Sequence, residues 1–143
     1  MLPDKLPLEL RLGLRAGSVF YFQARELTSV ASHFYVVLNR DPLGEALLLM
    51  TVFTSQIEKV RLRNRERPAT VVEFGPADYD PLTSPTAIDC NVLHRRTLAE
   101  MAGLVRRKEL RYHKDLPAAL LERIRAGVLA SPVVDEDDKD LVR

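Results

Sequence analysis

Two apolar runs of strand length lie close together in the 143-residue chain and constrain its fold more than any other feature. Residues 33–38 (HFYVVL) form the first run and residues 46–55 (ALLLMTVFTS) form the second, with Pro42 and Gly44 between them. This pattern predicts a pair of core strands joined by a tight connection. If the strands pair antiparallel, His33 and the polar end of the second run fall at the same end of the hairpin, where we expect a functional site.

The rest of the chain shows strand patterns first and helical patterns last. Residues 19–22, 68–74 and 86–93 are predicted strands, bounded by Gly, Pro and Ser. A capping-box pattern opens a helix from Thr97 to about Lys108, and Asp115 is the predicted cap of a second helix that ends before Pro132. The sequence therefore predicts a mainly β fold, a small barrel or strongly bent sheet of five to six strands, with two C-terminal helices appended.

The predicted domain covers residues 17–131. Residues 1–16 are expected to form an N-terminal arm, in which alternating leucines fit an edge strand interrupted by prolines. Residues 23–31 are a predicted loop long enough to reach over a site. Residues 132–143 are acidic, and we expect them to form a flexible tail.

Composition and motifs exclude several classes of function. Lys and Arg number 21 against 20 Asp and Glu, so the net charge of +1 gives no global attraction to nucleic acid or membrane. The single cysteine, Cys90, is expected in the core, and three histidines are too few for a dense metal cluster. No glycine loop for phosphate, nucleophile elbow, metal-ligand spacing or long apolar span occurs. We expect a soluble cytoplasmic protein that uses no cofactor.

A run of alternating basic residues follows the second apolar run. It consists of Lys59, Arg61, Arg63, Arg65 and Arg67. On a strand this spacing would place all five on one face, and in a loop it would still concentrate positive charge. One interpretation is a solvated hairpin partly neutralised by Glu58 and Glu66. The other is phosphate binding, because the run leaves directly from the polar end of the second strand.

Polar side chains with possible chemistry gather at the predicted strand ends. They are His33, Thr54, Ser55, Gln56, Asp89, Asn91 and His94. Each also has a purely structural interpretation. A lone histidine commonly caps a strand end, Thr54 and Ser55 could satisfy turn backbone groups, and Asp89 could pair with Arg95 or Arg96.

The order of these segments resembles the toxin family of MazF, PemK and Kid. The segments that carry the resemblance are residues 17–21, 33–38, 52–56, 70–73, 86–91 and 96–98. The resemblance spans about residues 17–108, and its most specific part is the apolar strand that ends in Thr54 and Ser55. It implies an SH3-like barrel with a terminal helix, usually a homodimer, that cleaves single-stranded RNA without a metal and has a possible cognate antitoxin.

The resemblance also implies site residues. Thr54 falls on the family's catalytic hydroxyl position, and His33 falls where many members have the arginine of an Arg-Pro pair. Asp89 and Asn91 flank Cys90, where Kid-like members place an arginine and an aspartate. We therefore predict that His33 acts as acid or base, Thr54 and Ser55 bind the scissile phosphate, and Asp89 and Asn91 orient the reacting groups. The basic run at 59–67 would grip the RNA backbone.

Two other functions fit the same sequence. One is a non-catalytic barrel of the same fold that binds a protein partner, either like CcdB or as a regulatory relative without chemistry; the missing Arg-Pro pair favours it. The other is a nucleic-acid-binding domain without catalysis, whose affinity would fall steeply with added salt.

Overall fold

The computed structural model of the protein describes residues 6–23 and 32–143. The described residues form five α-helices, seven strands and two short 3-10 helices at Pro42–Gly44 and Pro68–Thr70. In chain order the helices and strands are α1 (Leu8–Gly13), β1 (Val19–Phe22), β2 (His33–Val37), β3 (Leu47–Val52), α2 (Ile57–Arg63), β4 (Val71–Phe74), β5 (Thr86–Asp89), β6 (His94–Thr97), α3 (Leu98–Arg106), β7 (Arg111–His113), α4 (Ala118–Ala130) and α5 (Glu136–Val142).

Five strands form one antiparallel sheet in the order β6-β3-β2-β1-β7, and β4 pairs antiparallel with β5. The predicted central hairpin is confirmed, because β2 pairs with β3 with Val37 opposite Met50. Beyond the end of β3, an isolated bridge between Thr54 and Ala87 connects the large sheet to β5. The predicted mainly β fold with C-terminal helices is confirmed, whereas closure into an SH3-like barrel stays a prediction.

The large sheet has an apolar cluster on each face. Alternation along β2 sends Tyr35 to one face and Val36 to the other, and both are fully buried. The Val36 face packs against α4 through Ile124. The Tyr35 face packs against α1 and α3 through Leu10 and Met101. Helices on both faces therefore hold the strands in a fixed register.

Helix α1 replaces the edge strand predicted for the N-terminal arm. Leu6, Leu10 and Leu14 are buried, whereas Leu8 and Leu12 are 58% and 73% exposed. Leucine at every second position fits both the two-residue period of a strand and the period of a helix. Only the helix, in which residues four apart share a face, brings three of the leucines to the core. The proline just before the first turn costs no helical hydrogen bond, because that position needs no N–H donor.

Helix α2 occupies the start of the basic run, which the sequence placed on a strand or in an extended loop. Helical residues two apart do not share a face, so the five basic side chains are not aligned along one side. Lys59 and Arg63, four apart, remain neighbours.

Helix α5 occupies most of the segment expected to be a flexible tail. Val142 is fully buried in the core cluster on the α4 side of the sheet. Asp138 forms an ion pair with Arg95 of β6, and the Arg40 N–H donates to the Leu141 carbonyl at 2.9 Å. Acidic residues in the first turn of α5 also complement the helix dipole.

The predicted C-terminal helices α3 and α4 are present. The capping box is confirmed, since Thr97 Oγ1 accepts from the Glu100 N–H at 3.0 Å and the Glu100 carboxylate accepts from the Thr97 N–H at 3.1 Å. Asp115 does not cap α4, which begins after Pro117; it pairs with Arg15 instead. The predicted loop at residues 23–31 lies, apart from its first residue, outside the described residues. No helix within the described ranges is long and apolar enough to cross a membrane.

Candidate functional site

A cavity of about 380 Å³ opens at one end of the large sheet, between β1, β2, β7, the end of β3 and the segment 81–86. We call it the sheet-face cavity. The side chains that matter for its chemistry are Tyr21, His33, Phe34, Ser55, Arg111 and His113. Aromatic, hydroxyl, imidazole and guanidinium groups therefore meet in one open space.

Strand register explains how these side chains come together. Tyr21 of β1 lies opposite Phe34 of β2 on one side and opposite Arg111 of β7 on the other. Residues directly opposite in neighbouring strands project to the same face, and His113 shares that face because it is two residues from Arg111. The Phe34 ring centroid lies 4.9 Å from that of Tyr21 and 4.8 Å from that of His113.

His33 lies at the rim of the cavity. It is half-buried and lies opposite Phe22 in the register of β1 and β2. Because it precedes Phe34 in the strand, alternation assigns its side chain to the opposite face from Phe34 and His113. The predicted acid or base thus borders the cavity, but does not lie on its aromatic floor.

Ser55 lines the cavity and Thr54 lies directly behind it. The Thr54 backbone makes both hydrogen bonds of the bridge to Ala87, at 3.0 and 2.8 Å. The Thr54 hydroxyl accepts a hydrogen bond from the Gln56 N–H at 3.1 Å, and the Thr86 hydroxyl donates to the Thr54 carbonyl at 2.8 Å. The turn thus uses the Thr54 hydroxyl as an acceptor and leaves its own proton to donate.

Asp89 and Asn91 belong to a separate polar cluster. The Asn91 amide nitrogen lies 2.9 Å from Asp89 Oδ1, 2.8 Å from Thr70 Oγ1 and 3.1 Å from Asn64 Oδ1. The Ser131 hydroxyl donates to Asn91 Oδ1 at 2.6 Å. These contacts connect α2, β5 and the end of α4, so the cluster has a clear structural role.

The Asp89 carboxylate is buried and accepts from the Arg63 guanidinium at 2.9 Å. Burial acts to raise the pKa of Asp89, but hydrogen bonds from Asn64, Asn91 and Arg63 outweigh it and hold the pKa below its ordinary value. Asp89 lies three residues from Thr86, about 10 Å along the strand and on its other face. The structure thus brings His33 and Ser55 to the sheet-face cavity, with Thr54 next to Ser55 in the chain, but not Asp89 and Asn91.

The basic run is divided between ion pairs and a second cleft. Arg61 pairs with Glu58 at 2.7 Å and with Glu73 at 2.5 Å, and Arg63 pairs with Asp89. The cleft, about 490 Å³, is lined by Leu62, Arg63, Arg65, Glu66 and Arg67. Ion pairs neutralise two of the five basic residues of the run, Arg61 and Arg63, and Arg65 and Arg67 against Glu66 leave this cleft with a small positive excess.

Arg111 and His113 are cavity residues that sequence reasoning missed. Burial lowers the pKa of His113, and the nearby Arg111 charge lowers it further, so the imidazole is neutral at neutral pH. Strand β7 has three residues, which is too short for a periodicity signal. The only available hint was the alternation of two basic residues around Tyr112.

Cys90 is fully buried, as the sequence predicted. Burial raises the pKa of its thiol to about 12, and the Asp89 charge contributes to that rise. The thiol is therefore protonated and inaccessible, and it is not a nucleophile.

The elements above define a small antiparallel-sheet domain with helices on both faces and an open polar cavity at one end of the sheet. No family model and no curated protein matches the sequence. Among solved structures, the chain is similar to an endoribonuclease in complex with its cognate antitoxin from Mycobacterial species, with a TM-score of 0.51. The two are 15% identical, and the match covers 80% of this chain and 90% of that chain. At that identity the likeness shows a common fold.

Proposed function

We propose that this protein is a toxin-like endoribonuclease that cleaves single-stranded RNA in the sheet-face cavity. The observation that supports it is the combination of imidazole, hydroxyl and guanidinium groups over an aromatic floor, in a fold shared with an endoribonuclease. The cavity does not contain the Asp89 cluster, so the proposal depends on His33, Thr54 and Ser55.

Binding would use stacking and charge together. Tyr21 and Phe34 are half-buried, so each keeps ring surface on which an unpaired base can stack. Arg111 supplies positive charge beside that surface, and the cleft at 62–67 would guide the RNA backbone farther along. A single strand fits this site because its bases can turn outward from their neighbours.

The reaction would be an internal phosphoryl transfer. A base takes the proton of the ribose 2′-hydroxyl, and that oxygen attacks the adjacent phosphorus as the bond to the 5′-oxygen breaks. An acid gives its proton to the leaving 5′-oxygen, so the products end in a 2′,3′-cyclic phosphate and a 5′-hydroxyl. Histidine suits either proton transfer near neutral pH, and His33 borders the cavity. The hydroxyls of Thr54 and Ser55 would donate to the phosphate, and no step needs a metal ion.

Asp89 and Asn91 would have a positioning role in this reaction. Through Asn64 and Arg63 they fix α2 against β5, the strand that begins at the cavity residue Thr86. Their predicted orienting role therefore becomes an indirect one in our proposal.

The test is cleavage of a fluorophore-quencher single-stranded RNA in EDTA. We expect cleavage of RNA, no cleavage of the same strand with 2′-deoxyribose, and large losses in His33→Ala and Thr54→Ala. Arg107→Ala is the control, because Arg107 is exposed and pairs with Glu109 away from the cavity. Full cleavage by both site variants would contradict the assignment of His33 and Thr54. If the wild type leaves the RNA uncleaved, the proposed nuclease activity is wrong.

A second candidate is a non-catalytic domain that binds a protein partner. It is favoured by the position of His33 at the rim and by the antitoxin bound to the similar endoribonuclease. Under either proposal a cognate antitoxin is the expected partner. A stable complex with a co-expressed antitoxin, together with no RNA cleavage, would select this candidate. Homodimerisation and cytoplasmic location stay predictions, and sedimentation tests the first.

A further inference from the structure

Strand β7 presents two basic residues to the sheet-face cavity. Arg111 lies opposite Tyr21, and His113 lies opposite Val19, in the antiparallel register with β1. Two residues along a strand are separated by about 7 Å on the same face. A guanidinium and an imidazole at this separation can reach a phosphate and the neighbouring ribose of one nucleotide.

The His113 ring is held in place by two aromatic neighbours. It meets Phe34 edge-to-face at 4.8 Å and 77°, and Tyr21 at 6.1 Å and 72°. Among the described residues, the titratable groups that line the same cavity are Arg111 on its own strand, Tyr21 on β1 and His33 at the rim on β2. The segment 81–86 contributes no titratable side chain.

Arg111 is exposed and, within the described residues, its side chain makes no hydrogen bond or ion pair. Most other arginines near the sheet are engaged, such as Arg15 with Asp115 and Arg61 with Glu73. A planar guanidinium with free donors binds a phosphate through two parallel hydrogen bonds.

We infer that Arg111 holds the scissile phosphate and that His113 accepts the proton of the ribose 2′-hydroxyl. This inference rests on the proposed function and adds two catalytic residues to it. The 2′-oxygen forms its bond to phosphorus as the bond to the 5′-oxygen breaks, and the proton of the 2′-hydroxyl goes to His113. His33, at the rim of the same cavity, gives a proton to the leaving 5′-oxygen. Arg111 thus supplies the cation that the Arg-Pro position lacks in this chain.

The inference is tested by single-turnover cleavage of single-stranded RNA across pH, with His113→Gln and Arg111→Ala. Removing a general base lowers the cleavage rate by about 10²- to 10⁴-fold, so we expect this loss in His113→Gln with little change in KM. The wild-type cleavage rate should rise with pH through the titration of His113, and His113→Gln should not show this rise. Arg111→Lys should recover part of the activity, because lysine keeps the charge but not the two-pronged contact.

Binding is measured separately with a mixed-sequence 2′-O-methyl RNA hexamer, which cannot be cleaved. Arg111→Ala should weaken binding and reduce the slope of log K against log salt by about 0.7, the value for one phosphate contact on a single strand. Arg107→Ala should leave both quantities unchanged. Melting curves of each variant show whether a loss of cleavage or binding comes from misfolding. His113→Asn, a second neutral amide at the same position, repeats the test with a shorter side chain.

Each outcome separates the inference from the function on which it rests. Wild-type cleavage together with full activity in His113→Gln or Arg111→Ala would overturn these assignments and leave the nuclease intact. Binding of the hexamer by a wild type that does not cleave RNA would overturn the proton-accepting role and the nuclease together. A wild type that neither binds nor cleaves would overturn both proposals.

Discussion

Replacing Asn91 by Ala tests whether its cluster is structural. The Asn91 amide has two hydrogens, which it shares among oxygens of Asp89, Thr70 and Asn64, and its carbonyl oxygen accepts from Ser131. Alanine would remove a donor from a buried carboxylate and an acceptor from a buried hydroxyl. A hydrogen bond to a charged group contributes about 2 kcal/mol and a neutral one about 1 kcal/mol.

We therefore expect Asn91→Ala to lower the free energy of unfolding by about 3 kcal/mol, which corresponds to a fall in Tm of about 10 °C for a chain of this length. Urea unfolding followed by circular dichroism measures the change. The neighbouring exposed side chain of Val92, replaced by Ala, serves as the control and should change stability by less than about 0.5 kcal/mol. RNA cleavage by Asn91→Ala, measured where both proteins are folded, should be reduced only modestly.

The difference in the free energy of unfolding between the wild type and Asn91→Ala should also depend on pH. The folded-state pKa of Asp89 lies below its ordinary value of 3.8, so the unfolded chain binds this proton first as the pH falls. The stabilisation from its ionised form is full above that ordinary value and is lost as the pH falls through the folded-state pKa. In strong acid the difference between the wild type and Asn91→Ala should thus fall to about 1 kcal/mol, the contribution of the neutral hydrogen bond to Ser131. Unchanged stability with abolished cleavage would refute the structural role and assign Asn91 to the chemistry.

Three further changes test the packing and the helix ends, with urea midpoints as the measurement. A Cβ at Gly127 would lie 2.6 Å from Cys90 Sγ, and this clash should destabilise Gly127→Ala by about 1–3 kcal/mol, partly offset by roughly 1 kcal/mol of gained helix propensity. Adding Cys90→Ala should recover part of the lost stability. If the effects of the two substitutions are additive, the clash is contradicted. Thr97→Ala removes the cap of α3 and should cost about 1 kcal/mol, so an unchanged midpoint would show that the cap contributes nothing. Asp138→Asn should cost about 1–2 kcal/mol by weakening its contact with Arg95, and equal stability would mean that packing alone holds α5.

The central hairpin and the cap of α3 could be predicted because their signals are local. Residues 33–38 and 46–55 are mostly apolar, as expected of buried strands, and a segment with Pro42 and Gly44 separates them. The pattern Thr97-x-x-Glu100 encodes both hydrogen bonds of a capping box within four residues. The short helices α1 and α2 were not predicted, because leucines or arginines at every second position occur equally well in a strand.

The site was only partly predictable because its residues come from distant segments. Asp89 and Asn91 share a face by strand alternation, and they do contact each other. Asp89 and Thr86, however, are an odd number of residues apart, which separates Asp89 from the cavity. The register that brings Arg111 beside Tyr21 depends on β7 pairing with a strand about 90 residues earlier in the sequence, and no local pattern encodes it.

The position of Cys90 under α4 makes the protein's lone thiol a reporter of its own unfolding. The sulfur is fully buried, lies 3.6 Å from the Ile124 carbonyl of that helix, and is protonated at neutral pH. Alkylating reagents need an accessible thiolate, so they can modify this chain only after the helix separates from the strand beneath it. The modification rate of the unaltered protein would therefore measure how often α4 opens, without an added probe.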